Sequence, residues 1–132
     1  MALHVRIVSP DYCTYDGDAA FVVVPSTDGE LGFLPKHASE ICTLGSGYVR
    51  ICDERMGETS HTIAVSEGYV QIANDEVIIL SERSRDMATV DREETTSRLK
   101  GFEDELVNLS EDDARRSYLY NEAAWCRLLL AK

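Results

Sequence analysis

From residue 3 to about 80, apolar and polar side chains alternate with period two, as in Leu3-His4-Val5-Arg6-Ile7, Tyr48-Val49-Arg50-Ile51-Cys52 and Glu76-Val77-Ile78-Ile79-Leu80. Successive side chains of an extended strand point to opposite faces, so this alternation predicts strands with one face against a core. Turn residues interrupt the pattern at Asp16-Gly17, Thr27-Asp28-Gly29, Gly45-Ser46-Gly47, Met56-Gly57, Glu67-Gly68 and Asn74-Asp75. A turn every 8–12 residues or so predicts a β-sandwich of about ten short strands. No stretch here is long enough for the crossover helix of a βαβ unit. Ala20 to Val24 is apolar without alternation, which predicts a central strand covered on both faces.

The pattern changes at Ser81-Glu82-Arg83-Ser84-Arg85-Asp86, where apolar side chains vanish, and the segment reads as a linker. Helical periodicity follows. Asp91 can cap a helix with Glu94 three residues on, and Leu99, Phe102, Leu106 and Leu109 then lay one apolar stripe along it. Ser110 and Asp113 signal a second start. In the helix that follows, Ala114, Tyr118, Trp125 and Leu128 share one face and Leu119, Ala123, Cys126 and Leu130 an adjacent one. A link this short folds the two helices back as an antiparallel hairpin. The chain is therefore mainly β, with a sandwich domain over residues 1–86 and a two-helix hairpin over 87–132.

Composition narrows the function. The 132 residues, 44% of them hydrophobic, suffice for a compact core. The net charge is −11, and residues 1–86 carry most of it, with 6 basic and 14 acidic groups. Such a chain repels phosphate backbones and anionic headgroups, which argues against nucleic-acid or direct membrane binding and favours a basic protein partner. The N-terminus shows no apolar leader, and the apolar run Ala19–Val24 is too short to span a bilayer, so the chain is expected to remain in the cytosol. Cys13, Cys42, Cys52 and Cys126 lack Cys-x-x-Cys spacing and read as free thiols of a reducing compartment.

Catalytic and metal-binding patterns are absent from the sequence. His4, His37 and His61 are isolated from one another and from any partner at metal-ligand spacing. The Gly29-x-x-Gly32 and Gly45-Ser46-Gly47 glycines do not lie between a strand and a helix that could receive an anion, so they belong to turns. The expectation is a chain without catalytic residues, metal or cofactor.

One stretch is more specific: Asp28-Gly29-Glu30-Leu31-Gly32-Phe33-Leu34-Pro35-Lys36-His37-Ala38 joins a turn, a short apolar strand and a Pro-led second turn. It resembles the Gly-Glu-hydrophobic-Gly-hydrophobic-hydrophobic-Pro-Gly-His-Ala signature of the ε subunits of F-type ATP synthases, called δ in mitochondria. Lys36 stands where that family usually has Gly, and Ser39 where it usually has Pro. Tyr15-Asp16-Gly17 and Ser66-Glu67-Gly68-Tyr69-Val70 match further family turns.

The resemblance implies a non-catalytic central-stalk subunit, peripheral on the cytoplasmic face of a bacterial inner membrane and touching the membrane only through its complex. Its sandwich would fasten the γ subunit to the c-ring, and its hairpin would fold down on the sandwich or extend along γ into the catalytic α/β head, restraining ATP hydrolysis. Partner contacts are implied at Glu30, toward the c-ring, at His37 and Ala38, in the loop toward γ, and at Cys42. From the residues alone, His37 reads equally as a solvent-exposed turn side chain bonded to local backbone. Relatives that bind ATP do so through Ile/Leu-Asp-x-x-Arg-Ala at the start of the first helix. Here Val90-Asp91-Arg92-Glu93-Glu94-Thr95 keeps Asp91 but places Glu94 where the Arg belongs. Arg92 lies about 200° around the helix from that position, and Asp91 reads as a cap. Two other readings stay open: a free-standing acidic binding module with a dimerising hairpin, and a small enzyme whose carboxylates and His37 meet only in the fold.

Overall fold

A computed structural model describes residues 2–132. One compact unit runs to Ala88 and a second spans Thr89–Lys132. The first holds ten strands among its described residues: β1 (Leu3–Ser9), β2 (Tyr12–Ala19), β3 (Phe21–Ser26), β4 (Gly29–Phe33), β5 (Glu40–Leu44), β6 (Gly47–Cys52), β7 (His61–Val65), β8 (Gly68–Ala73), β9 (Glu76–Ser81) and β10 (Ser84–Asp86). They pair in the order β10-β7-β6-β3-β5-β8-β9-β1-β2, with β4 added to β3. Every pairing is antiparallel except that of β1 with β9. The sheet folds over a core fed by alternate positions of nearly every strand, among them Leu3, Val5 and Ile7, Val22 and Val24, Phe33, Val49 and Ile51, Ile63, Ile72 and Ile79.

The unalternating run Ala20–Val24 becomes β3, a central strand that pairs β4 on one side and β6 on the other, then touches β5 at Ser26. Its inward residues Val22 and Val24 are buried, and Phe21 and Val23 are half-buried on the opposite face. The Phe21 ring lies so close to Gly32 that an added Cβ would sit 2.6 Å from it, which explains a glycine in the middle of β4. At Gly68 an added Cβ would overlap the carbonyl of Leu80 on the neighbouring strand.

The segment Ser81–Asp86 differs from its reading as a linker. Its last three residues form β10, hydrogen-bonded to β7. Hydropathy misses it because its inward side chains are hydroxyls that are satisfied by one another. The Ser84 hydroxyl bonds those of Ser9, at 3.0 Å, and Thr14, at 2.6 Å. The Tyr12 hydroxyl donates to the Ser84 carbonyl and accepts from its N–H, at 3.0 and 3.1 Å. These bonds tie β10, at one end of the strand order, to β1 and β2 at the other.

A 3₁₀ turn, Met87–Thr89, leads to α1 (Arg92–Asn108) and α2 (Arg115–Leu130). The Asp91 carboxylate accepts the Glu94 N–H at 3.1 Å, so it caps α1 as its position suggests. Leu99, Phe102, Leu106 and Leu109 are half-buried along one stripe. The second helix starts later than Ser110. Residues 110–113 form a turn closed by the Asp113 N–H on the Ser110 carbonyl, and the Asp113 carboxylate then receives the Arg115 N–H at 2.9 Å. Its buried positions are Leu119, Ala123, Cys126 and Leu129. Of the expected face through Ala114, Tyr118, Trp125 and Leu128, Ala114 and Tyr118 are exposed, the amphipathic Tyr118 ring staying in water, and Trp125 and Leu128 are half-buried.

Each helix of the hairpin caps the other. Arg92, at the start of α1, donates to the Leu130 and Lys132 carbonyls at 2.8 and 2.6 Å, and Arg116, early in α2, donates to those of Leu106 and Leu109 at 3.3 and 3.2 Å. Terminal helix carbonyls have no partner within their own helix, and a cation there also meets the negative end of the helix dipole.

Candidate protein docking site

Glu30 opens β4, and the loop bearing His37 and Ala38 follows its end. Glu30 and His37 therefore flank opposite ends of one short strand instead of meeting. Glu30 is exposed and forms a two-point pair with Arg50 on β6, at 3.0 and 2.9 Å, reaching across β3. Exposed pairs of this kind add little stability, but this one holds the carboxylate in a fixed place.

Phe33 anchors the loop in the core, and the His37 ring stands edge-on to it with centroids 5.0 Å apart. The His37 N–H closes the turn on the Leu34 carbonyl at 3.2 Å. Lys36 takes a left-handed backbone, φ 68°, which is why a glycine suits this position in the resembled signature. Its N–H donates to the Asp75 carboxylate at 2.6 Å, pinning the loop to the β8–β9 turn, where Asn74 and Asp75 are themselves left-handed. Ala38 is exposed.

His37 and Cys42 converge on Glu40, a residue the sequence did not single out. His37 Nε2 lies 2.9 Å from a Glu40 oxygen. That bond, and then the Cys42 thiol, hold the Glu40 carboxyl below its ordinary pKa. Burial, followed by the neighbouring Glu40 carboxylate, pushes the pKa of the Cys42 thiol up. The spacing 37-40-42 carried a signal in principle, since a turn followed by a strand brings i, i+3 and i+5 together. The other histidines also meet carboxylates: His4 bonds Asp18 and Asp16 at 3.0 and 2.7 Å, which raises its pKa, and His61 lies 3.2 Å from Asp53. Among the described residues, no three His, Cys, Asp or Glu side chains form a group that could hold a metal ion. Among the described residues, no disulfide joins any of the four cysteines.

The larger feature is the outer face of β5, β8, β9 and β1, next to this loop. Register places Thr43, Tyr69, Leu80 and Val8 in one row, and Ile41, Gln71, Ile78 and Arg6 in the next. Ile41 is 71% exposed, Tyr69 61% and Leu80 50%. An open row of large apolar side chains is a candidate surface for another protein. No pattern in the sequence distinguishes this outer face, because it needs the register of four strands to bring it together.

A family model for the ATP synthase delta/epsilon chain β-sandwich domain matches residues 2–85. The chain belongs to that family. It is 34% identical over 127 residues to the ATP synthase epsilon chain of Gloeothece citriformis, covering 96% of this chain and 90% of that one. It is 35% identical over 131 residues to the epsilon chain of Halalkalibacterium halodurans, covering 98% and 96%. Among solved structures, a chain of the Euglena gracilis mitochondrial ATP synthase superposes with a TM-score of 0.76 at 18% identity, covering 98% of this chain and 80% of that chain. One from the central stalk and c-ring of the Tetrahymena thermophila enzyme gives 0.57 at 14%, covering 99% and 96%. These two likenesses concern the fold. Among the described residues, no helix of this δ/ε-family chain is long and apolar enough to cross a membrane.

Proposed function

We propose that this δ/ε-family chain is a non-catalytic central-stalk subunit of an F-type ATP synthase, whose sandwich fastens the γ subunit to the c-ring. The observation that carries the reading is the apolar outer face of β5, β8 and β9, continuous with the anchored Leu34–Ala38 loop. A flat apolar face backed by a rigid sheet suits a long partner helix better than a small substrate. The −11 charge of the chain favours a basic partner, as expected for γ. In this reading His37, Ala38 and Cys42 belong to the γ side, and Glu30, held by Arg50, faces the c-ring. The subunit then lies on the cytoplasmic face of a bacterial inner membrane, held there through the complex.

The hairpin is proposed as the regulatory part, restraining ATP hydrolysis when it reaches the catalytic α/β head. Its conformation is governed by packing and the arginine caps, with no nucleotide needed, because Arg92 is engaged at the far end of α2 and Glu94 places an anion where phosphate would lie. Size-exclusion chromatography of the chain mixed with its cognate γ tests the central claim. A 1:1 complex at micromolar concentration is expected. A homodimer that ignores γ would favour the free-standing module and refute the rotor assignment.

A further inference from the structure

The apolar rows end in two carboxylates. Along β8 and β9, side chains two residues apart share a face, so Glu67 extends the column of Tyr69 and Gln71, and Glu82 that of Leu80 and Ile78. The Glu82 N–H donates to the Glu67 carbonyl at 3.1 Å, continuing the ladder and setting the two residues opposite each other. Both are exposed, and neither carboxylate meets a cation or donor among the described residues. Like charges facing each other across a strand pair destabilise a sheet, so this pair weakens the isolated sandwich.

Glu82 also borders two shallow depressions. One, of about 470 Å³, has walls of Val8, Pro10 and Leu80. The other, of about 550 Å³, is more polar, with Thr27, Thr43 and Ser46 beside Tyr69 and Glu67. Apolar walls leading to a carboxylate match lysine and arginine, whose methylene stems lie against apolar surface while the charged head reaches an anion. At the other end of the face, Arg6 is exposed in the row of Gln71 and Ile78, but Glu76 lies beyond Ile78 along β9 and Asp16 stands opposite Arg6, so that end has carboxylates as well.

We propose that Glu67 and Glu82 read charge on the docked partner, selecting a helical segment in which an apolar anchor over Tyr69 and Leu80 is followed by lysine or arginine. This rests on the docking reading above and adds what the partner must carry. The pair sets the association rate and the salt dependence, and the apolar row sets the lifetime of the complex.

Surface plasmon resonance with cognate γ tests it, using the wild type, a Glu67→Gln/Glu82→Gln double variant, a Glu67→Lys/Glu82→Lys double variant and Tyr69→Ala. At ~50 mM salt the Gln pair should weaken binding roughly tenfold and the Lys pair further, mainly through the association rate, and both differences should shrink at ~500 mM. Tyr69→Ala should weaken binding at both salt concentrations and raise the dissociation rate. Thermal unfolding of the Gln pair should be unchanged or slightly higher, since removing facing like charges relieves the sheet. Wild-type affinity and salt dependence in the Gln pair would overturn this inference while leaving γ docking intact; absence of wild-type binding to γ would remove both.

Discussion

The two units hold themselves together by different means. In the sandwich, sixteen apolar residues from nearly every strand are almost wholly inaccessible to water. In the hairpin, burial is confined to Thr95, Leu119, Ala123, Cys126 and Leu129, and the α1 stripe is only half-covered. The hairpin compensates with polar ties: two arginines on opposite helix ends, and the Arg127–Glu103 pair at 3.3 Å. A large continuous core resists deformation, because each removed contact leaves a void that its neighbours fill only in part. A thin seam with charged ties can open locally at much smaller cost. The proposed clamping role would need the first property, and the proposed regulatory role the second.

The sharpest way to break this contrast is to cut the sandwich core. Phe33 is 1% exposed and carries both the core and the His37 ring. Phe33→Ala should destabilise the sandwich by about 3–5 kcal/mol. Urea unfolding followed by far-ultraviolet circular dichroism measures it. A loss below ~1 kcal/mol would show that the core is loosely packed and that the two units differ less than argued.

The hairpin should respond to the loss of a polar tie. Arg92→Ala leaves the Leu130 carbonyl to water, at a cost of about 1 kcal/mol to the closed hairpin. Hydrogen exchange should speed up in the last turn of α2 and the first of α1, with the sandwich strands unchanged. Uniform exchange across both units would mean that they unfold together.

The sandwich was legible in sequence wherever burial follows a period of two, as at Leu3-Val5-Ile7, or where turn glycines and asparagines punctuate it. The helix cap at Asp91 was legible for the same local reason. Legibility failed where stability comes from hydroxyls instead of hydrocarbon. Ser84 joins the two ends of the strand order through Ser9, Thr14 and Tyr12, yet its segment has the composition of a linker. It failed again at α2, where two apolar stripes compete and only packing decides that Ala123 faces inward and Tyr118 outward. Of the proposed docking surface, the loop was visible as a motif, but Glu40 and the Tyr69–Leu80 row depend on contacts between strands.

The smallest expected effect concerns the left-handed residue in the loop that bears His37. Lys36 holds φ 68°, a left-handed backbone in which a Cβ crowds the neighbouring carbonyl, at about 1–2 kcal/mol for a non-glycine residue. Glycine removes that crowding but gains freedom in the unfolded chain, which returns roughly 0.5–1 kcal/mol of the benefit. Lys36→Gly should therefore raise stability by a few tenths to ~1 kcal/mol, and Lys36→Ala, equally crowded, should give no such gain. Paired thermal melts of the two variants separate backbone strain from the loss of the lysine side chain. Equal gains in both would assign the effect to the side chain. A loss in Lys36→Gly would mean that the Asp75 bond to the Lys36 N–H depends on the stiffness that lysine lends the turn, making the loop's order a property of residue 36 itself.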